Sequence, residues 1–440
     1  MKNVKVEFTE KNLTGNAGLV HVGRFAKKLG LRELLEGSLT IERAPNAWYQ
    51  AVDVAIMVIF GVLAGAKHVS QLIFLRVDGV IRKIFSWEHF PDNSTFGRIV
   101  RLFTPKHCQE LSDVEDALRR KVWNKKWFGR ITLDLNSTVR GVLGKQEGAH
   151  KGYNPEKKGQ KSYHPLLCFI AETRECLHNW FRSGDAYSAN GSVDFLKECL
   201  SKVPKRVWSI VLRADSAFFD GKLLAFAESR GLKYVIKVAM KGLLEVLESQ
   251  SWHRIKNRPG WESTTFIYQC GDWPRPRKFV AVKQRIESDK AHDNQAMQEL
   301  QRQLEEEPST STDDYHYFCY VTNMNMSPWG THKFYGHRGT SENWIAWCKD
   351  QMAAGSMLTQ VFWATSALFQ LSILAYNLLV WMLGLTMEHG FREEPNTVRL
   401  WLIHVPAKLV EHSRQLILKL SRDWYFKHRW LNLEQALASL

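Results

Sequence analysis

VWSIVLRADSAFF, residues 207–219, gives the clearest indication of fold class in this 440-residue sequence. Val207 to Leu212 is apolar and rich in β-branched residues, which predicts a buried strand, and Asp215 follows closely. A helix is predicted from Asp220 to about Ser229 and a further strand at Tyr234 to Val238. A strand, a helix and a strand in this order are typical of an α/β layer.

The residues before this unit extend the same layer. Short apolar runs predict strands at Ile131 to Leu135 (ITLDL), Pro165 to Ala171 (PLLCFIA) and Cys176 to Phe181 (CLHNWF), and a helix is predicted from about Ser188 to Leu200. The three strands follow one another without intervening helices, whereas the later ones alternate with helices. This arrangement predicts an α/β fold with a mixed sheet.

The flanking regions differ in their predicted secondary structure, and the chain is expected to divide into five segments. Residues 1–128 are expected to be a helical DNA-binding region, with a core helix at Ala51 to Ala64 and a helix at Ser94 to Phe103 that begins at Asp92-Asn93-Ser94. In that helix Arg98 and Arg101 either face DNA or lie on a solvated structural face. The other segments are a first core part at 129–239, a β-rich insertion at 240–333, a second core part at 334–390, and a C-terminal segment at 391–440 for dimerisation or DNA contact.

The insertion and the C-terminal segment carry weaker patterns. Strands are expected in the insertion at Thr264 to Gln269, Lys278 to Lys283 and Tyr315 to Thr322, with a charged, helix-forming stretch at Glu287 to Glu307. After the break at Pro395, Val398 to Val405 has strand character and precedes a helix or further strands.

Residues 351–387 contain no charged side chain, and Val361 to Leu385 is strongly apolar. Its length permits a membrane span. Polar residues within the run (Thr365, Gln370 and Asn377 among them) and the lack of a second convincing span favour a buried core helix. We therefore expect no membrane partner.

The composition favours a polyanionic partner. There are 60 Lys and Arg residues against 45 Asp and Glu, a net charge of +15, and such an excess favours DNA, RNA or an anionic surface. The seven cysteines form no CxxC pair and the charged N-terminus lacks an apolar core. A disulfide framework, a zinc site and a signal peptide are thus not indicated, and a cytoplasmic protein is expected.

Two acids lie at predicted strand ends, and a third lies on a helix. Asp134 lies at the end of one buried strand and Asp215 just beyond another, where open α/β sheets place their active sites, although such residues also cap helices and turns. In YGHRGTSENWIAWCKD, residues 335–350, the helical repeat places Tyr335, Arg338 and Lys349 within about 40° of Glu342. A surface ion pair explains Arg338 and Glu342 alone, whereas a phosphodiester site beside a metal uses all four side chains.

Three carboxylates without a His or Cys partner favour a hard cation, Mg²⁺ with Mn²⁺ as a substitute. Two ions roughly 3.5–4 Å apart can clamp a scissile phosphate for in-line displacement. Asp134, Asp215 and Glu342 are accordingly the predicted catalytic and metal-binding residues. Tyr335, Arg338 and Lys349 are the predicted positioning residues for phosphate and DNA.

The order Asp134, Asp215, Glu342 resembles the DDE triad of bacterial insertion-sequence transposases. The signature of that group, Tyr, two residues, Arg, three residues, Glu, six residues, Lys, is met in full by residues 335–349. The long interval before Glu342 matches members with a β-rich insertion. QEGAHKGYNPEKKG at 146–159 and FRSGDAYSANG at 181–191 are similar to stretches in one branch, and the likeness spans about residues 10–430.

The resemblance implies an RNase H-like catalytic core and cut-and-paste transposition. It also implies a homodimer that binds double-stranded DNA at terminal inverted repeats and at the target, and a hairpin intermediate. Relatives in that branch often carry a second acid two positions after the first Asp, where this sequence has Asn136. That difference leaves Asp134 as the predicted ligand. An aromatic platform for a flipped base is implied too, and Trp252, Trp261 and Trp273 are either that platform or core residues.

The basic loop from Arg140 to Lys161 either follows a DNA backbone or is merely solvated. Two other functions remain open at this point. A nuclease or resolvase on the same core would share the triad without joining a 3′-hydroxyl to target DNA. A non-catalytic DNA-binding protein derived from a transposase would make no metal-dependent nick.

Overall fold

The computed structural model describes residues 4–440 except 45, 126–127, 153, 155–156, 188–189, 272, 287–307, 388–391 and 414. It divides into two compact units. One, here called the sheet unit, comprises residues 127–143 and 148–345. The other, the helical unit, comprises residues 1–126, 144–147 and 346–440. The charged stretch expected at Glu287 to Glu307 lies outside the described residues.

The strands run in chain order from β1 to β16. They are β1 (Leu13–Thr14), β2 (Arg130–Ser137), β3 (Arg140–Gly141), β4 (His150–Lys151), β5 (Lys161–Tyr163), β6 (Leu166–Ile170), β7 (Cys176–Trp180), β8 (Ser209–Ala214), β9 (Lys233–Lys237), β10 (His253–Arg254), β11 (Trp261–Tyr268), β12 (Arg277–Arg285), β13 (Thr310–Ser311), β14 (Tyr315–Thr322), β15 (Ala407–His412) and β16 (Gln415–Leu420).

The described helices are α1 (Leu19–Leu29), α2 (Leu31–Ser38), α3 (Ala51–Leu63), α4 (Ile73–Val77), α5 (Gly79–Ile84), α6 (Asn93–Val100), α7 (Pro105–Trp123), α8 (Ser192–Lys202), α9 (Gly221–Ser229), α10 (Leu243–Glu248), α11 (Pro328–Gly336), α12 (Gly339–Ala346), α13 (Phe362–Thr386), α14 (Pro395–Val398) and α15 (Lys427–Ser439). Short 3₁₀ turns lie at Val69–Leu72 and Ser216–Phe218, and π-helical turns at Trp347–Gln351 and Arg399–Ile403.

A mixed ten-stranded sheet forms the sheet unit. Its order is β10-β11-β12-β14-β9-β8-β2-β6-β7, with β13 paired to β14. At the centre β2, β8 and β9 are parallel, and the pairs on both sides are antiparallel. The central residues Leu133, Leu212 and Ile236 are fully buried, as expected for strands covered on both faces. The predicted α/β class with a mixed sheet is confirmed.

The described strands of the predicted insertion belong to the ten-stranded sheet. β14 pairs with β9 through Tyr320↔Lys237, Val321↔Ile236 and Thr322↔Val235, and β12 and β11 follow outward. The described strands β11, β12 and β14 therefore continue the same sheet that carries β2 and β8. Cross-strand hydrogen bonding at β9 is the physical reason, because an unpaired edge of this apolar strand would leave backbone groups unsatisfied.

The long apolar segment is a core helix of the helical unit. α13 packs against α3 and α7, and Ser372 and Asn377 within it are fully buried. It is the one described helix long and apolar enough to cross a membrane, and 83% of its most apolar stretch is buried. The sequence-based division placed this helix with the core segment 334–390, whereas the chain changes unit at residue 346.

The strand expected at Val398 to Val405 is wrong. Pro395 begins α14, and the chain continues as a π-helical turn through Ile403. Arg399 explains the difference, because its buried guanidinium donates to the carbonyl oxygens of Val62 (2.8 Å) and Leu63 (2.9 Å) at the end of α3. The carbonyl oxygen of Val62 also accepts from the backbone N–H of Gly65 (3.0 Å), so the arginine adds to the capping of this helix end.

Candidate active site

The strand register decides which side chains meet at the centre of the sheet. β2 and β8 are parallel, with Asp134 opposite Arg213 and Leu135 opposite Ala214. The next residues along the two strands are Asn136 and Asp215. Because alternate residues of a strand share a face, Asp134 and Arg213 form one pair on that face. Asn136 and Asp215 lie on the same face, two residues further toward the carboxyl ends of the strands.

Asp134 forms a buried ion pair with Arg213. Its carboxylate is fully buried, and it accepts hydrogen bonds from Arg213 Nε to Oδ1 (2.7 Å) and from Arg213 Nη2 to Oδ2 (2.8 Å). Nη1 of Arg213 donates to the carbonyl oxygen of Phe334 (2.7 Å). Burial raises the pKa of Asp134, and the adjacent Arg213 charge opposes that rise. Both carboxylate oxygens are thus engaged within the protein.

Asp215 lies where β8 ends. Its Oδ1 accepts from the backbone N–H of Ala217 (2.9 Å), which caps the 3₁₀ turn that follows. Its Oδ2 lies 3.4 Å from Nη2 of Arg338. The side chain is 33% exposed, so this carboxylate is accessible from solvent, in contrast to that of Asp134.

Arg338 gathers the remaining groups. Its side chain is 6% exposed, and Nη1 lies 3.2 Å from Oε1 of Glu342. Nη2 donates to Oδ1 of Asn136 and faces Asp215. We call Asn136, Asp215, Arg338 and Glu342 the Arg338 cluster. Residues far apart in the sequence converge here on one guanidinium group.

The local chain path explains the position of Arg338. α11 ends at Gly336 and α12 begins at Gly339, so Arg338 lies at the break between the two helices. The helix expected from about Gly339 is confirmed. On its buried side Trp344 packs against Phe169, with ring centroids 5.8 Å apart. Glu342, in the first turn, keeps a side chain that is 66% exposed.

Neighbouring side chains stabilise the positive charge of Arg338. Burial lowers the pKa of Arg338, but the nearby Tyr335, Asp215 and Glu342 raise it more, so its net shift is upward. The guanidinium therefore remains protonated throughout the working pH range. Its Nε atom is buried without a hydrogen-bond partner among the described residues.

The two other residues of the predicted signature have separate places. Tyr335 is 2% exposed, its hydroxyl donates to the carbonyl oxygen of Ala214 (3.2 Å), and its ring packs on Tyr320. It thus supports the end of β8 immediately before Asp215. Lys349 belongs to the helical unit, where it lies half-buried in the π-helical turn Trp347–Gln351.

The predicted set of three metal ligands does not form. No group of three or more His, Cys, Asp or Glu side chains within the described ranges is arranged to hold a metal ion. Asp134 is occupied by Arg213, whereas Asp215 and Glu342 share Arg338 with the amide oxygen of Asn136. Two carboxylates and an amide oxygen are donors that fit one Mg²⁺ or Mn²⁺ ion, fewer than the two ions expected from three carboxylates.

Sequence reasoning missed three contributors to the site. They are Asn136, which the sequence marks only as a departure from related transposases, together with Arg213 and Ser341. Nδ2 of Asn136 donates to the Ser341 hydroxyl (3.0 Å), which itself donates to the carbonyl oxygen of Arg338 (2.8 Å). The Arg two residues before Asp215 was the one available signal, because a buried cation on the same strand face requires an acid.

The predicted nucleic-acid contacts also differ among themselves. In the basic loop Arg140 is buried, which lowers its pKa to about 9, so it does not face a DNA backbone. The described lysines of the sheet-unit part of the loop are exposed, namely Lys151, Lys157, Lys158 and Lys161. In the helical unit Arg98 and Arg101 are exposed as well.

Each of the three insertion tryptophans is half-buried. Trp252 donates to the carbonyl oxygen of Leu247 (3.0 Å), and Trp261 packs edge-on against Trp329. The guanidinium of Arg277 stacks on the ring of Trp273, with Cζ of Arg277 4.6 Å from the ring centroid. These contacts are those of structural side chains, and they do not distinguish one tryptophan as a base platform.

Comparison with known proteins gives one match over the whole chain. The family model described as Transposase DDE domain group 1 matches residues 1–440, while no curated protein sequence matches.

Two solved structures are similar at low identity. They are a piggyBac transposase synaptic complex with hairpin DNA, solved by cryo-EM, and a Mos1 transposase paired-end complex with the left transposon end. The first has 13% identity and a TM-score of 0.43, covering 87% of this chain and 78% of that one. The second has 9% identity and a TM-score of 0.18, covering 44% and 60%.

Proposed function

Since this chain belongs to the transposase family described as DDE domain group 1, we propose that it cuts DNA at the ends of a mobile element and joins those ends to target DNA. The substrate is double-stranded DNA carrying terminal inverted repeats. The single observation that carries the proposal is the Arg338 cluster. There Asp215 and Glu342, from opposite ends of the insertion, meet on one buried guanidinium at the carboxyl ends of the central strands.

The residues of the cluster have distinct roles in this proposal. Asp215 and Glu342 hold a divalent cation, Mg²⁺ or Mn²⁺, together with the amide oxygen of Asn136. When bound, such an ion stabilises the charge that develops on a phosphodiester during in-line displacement. Arg338 remains protonated and binds a phosphate oxygen of the strand to be cut. Tyr335 fixes the end of β8, and with it the position of Asp215.

Asp134 has a positioning role instead of a ligand role. Its pair with Arg213 neutralises a buried cation immediately behind Asn136 and Asp215. Arg213 also donates to the carbonyl oxygen of Phe334 in α11, and so ties β8 to the helix that precedes Arg338. The pair thereby holds the strand ends and the helix break in register.

Several finer features of the proposal rest on the resemblance of the sequence to insertion-sequence transposases. They are an RNase H-like core around β2, β6, β7, β8 and β9, excision by cut-and-paste, a hairpin intermediate and a homodimer on two DNA ends. Lys349 is proposed to contact the DNA strand. Exposed lysines of the basic loop, Lys151, Lys157, Lys158 and Lys161, are proposed to follow the DNA backbone in a salt-dependent manner.

A cleavage assay tests the proposal. The DNA flanking the coding region supplies the inverted repeats, and the full chain is incubated with labelled end duplexes and Mg²⁺. We expect strand cleavage by the wild type and its loss in Glu342→Gln, with end binding retained. Glu248→Gln, at an exposed glutamate of α10 in the same unit, is the matched control. Cleavage by Glu342→Gln at the wild-type rate would refute the assignment.

A second candidate has its own supporting observation. Because Asp134 is held by Arg213 and position 136 is an amide, the site has one carboxylate fewer than the sequence predicted. This favours a DNA-binding protein that has lost strand cleavage. A metal-dependent nick on end DNA separates the two candidates, and joining of pre-cut ends to target DNA separates a transposase from a nuclease.

A further inference from the structure

We propose that Asn136 occupies a cation-ligand position and that its neutral amide is what weakens divalent-cation binding at the Arg338 cluster. This inference rests on the proposed function, because it concerns the same site. It predicts that one substitution, Asn136→Asp, strengthens the binding of a divalent cation. No other residue of the chain would need to change.

The first step of the argument is position. β2 and β8 are parallel and in register up to Leu135↔Ala214, so Asn136 and Asp215 are neighbours at the ends of adjacent strands. Asn136 is 2% exposed and directs Oδ1 to the same Arg338 nitrogen that faces Asp215. The oxygen at position 136 therefore shares the Arg338 guanidinium with both carboxylates.

The second step is orientation. Nδ2 of Asn136 donates to the hydroxyl oxygen of Ser341 (3.0 Å), which fixes the amide so that Oδ1 faces Arg338. The side chain is thus held as a ligand would be, by a partner in the adjacent helix. Asp134 has no such freedom, since Arg213 engages both of its oxygens.

The third step is charge. In the Arg338 cluster the carboxylates of Asp215 and Glu342 face one guanidinium, which leaves a net charge of −1. The Asp134 and Arg213 pair behind it is neutral and contributes no excess charge. A carboxylate at position 136 would bring the net charge to −2. Because affinity for divalent cations rises with the charge of the ligand set, the amide should bind such an ion less tightly than a carboxylate at the same position would.

The experiment measures cation binding without DNA. Mn²⁺ is titrated into the full-length wild type and into Asn136→Asp, and the EPR signal of free Mn²⁺ reports binding. We expect the dissociation constant for Mn²⁺ to fall about tenfold or more in the variant. Asp215→Asn in the Asn136→Asp background should cancel this gain, because the ion then loses a shared ligand.

A companion variant addresses folding. An aspartate at 136 places an acceptor oxygen against the Ser341 hydroxyl, which already donates to the Arg338 carbonyl. Asn136→Asp/Ser341→Ala removes that contact, and its circular dichroism spectrum is compared with that of the wild type. Unchanged Mn²⁺ affinity in both folded variants would overturn the inference, as would a gain that persists after Asp215→Asn.

The two proposals fail in different ways. If Asn136→Asp tightens Mn²⁺ binding but no variant nicks or joins end DNA, then the proposed function is wrong and the ligand position stands. If the wild type cleaves its ends while Asn136→Asp leaves Mn²⁺ affinity unchanged, then the function stands and the inference about Asn136 is wrong.

Discussion

The role given to Asp134 leads to a large and measurable effect on stability. Asp134 is 0% exposed and its partner Arg213 has a side chain 3% exposed, with bonds of 2.7 and 2.8 Å between them. Asp134→Asn removes the negative charge and leaves the buried guanidinium uncompensated. Removing one partner of such a pair costs about 3–5 kcal/mol of unfolding free energy. We therefore expect Asp134→Asn to be strongly destabilised.

Urea unfolding followed by circular dichroism measures this loss, with Asp215→Asn as the matched control. Asparagine caps a turn as well as aspartate does, and the Asp215 side chain is already 33% exposed, so its loss should stay below about 1 kcal/mol. Asp134→Leu/Arg213→Met, which removes both charges, should recover most of the stability. A stability of Asp134→Asn within about 1 kcal/mol of the wild type would refute this reasoning.

Other expected outcomes concern pH and packing. Burial raises the pKa of Glu228, but hydrogen bonds from two arginines and a tyrosine lower it more, from 4.5 to about 2. The stability that this carboxylate contributes, about 1–2 kcal/mol after solvent screening, is present above pH 4.5 and is lost as the pH falls toward 2. In Glu228→Gln the urea concentration at the unfolding midpoint should therefore fall less between pH 4.5 and pH 2 than it does in the wild type. Burial lowers the pKa of His21 from 6.5 to about 4, so the stability linked to this residue is full above pH 6.5 and is lost as the pH falls toward 4. His21→Phe should therefore reduce the fall of Tm in that range, and an equal fall in the variant and the wild type would contradict this role. A Cβ on Gly18 would lie 1.7 Å from the carbonyl oxygen of Leu402, whereas one on Gly15 would meet nothing within 4 Å; Gly18→Ala should lose about 1–3 kcal/mol and Gly15→Ala little, and equal Tm values for the two would contradict the close approach.

Much of the fold could be predicted because its strands are rich in β-branched and aromatic residues. The strand expected at Tyr315 to Thr322 coincides with β14, and the one at Ile131 to Leu135 lies inside β2. Val398 to Val405 misled the prediction because tertiary contacts of Arg399 override its strand character. No local pattern reports which distant helix end a buried arginine will cap.

The candidate site could be predicted only in part. Asp215, Arg338 and Glu342 follow from strand-end and helix-face arguments, and in the structure Arg338 contacts both acids. The choice between positions 134 and 136 depended on the end of β2, which extends to Ser137 and not to Leu135. Two residues of additional strand move the strand tip from the aspartate to the asparagine, and a sequence pattern does not resolve boundaries to that accuracy.

The union of the insertion strands with the central sheet limits how this chain can be shortened. If residues 240–326 were deleted to make a minimal catalytic fragment, β9 would lose its neighbour β14 and would expose the amides and carbonyls of a strand whose middle residues are wholly apolar. Unpaired edge strands of this kind form hydrogen bonds with strands of other chains. We therefore expect such a truncated protein to aggregate. Residues 240–326 thus protect the edge of the central sheet, whatever else they contribute to function.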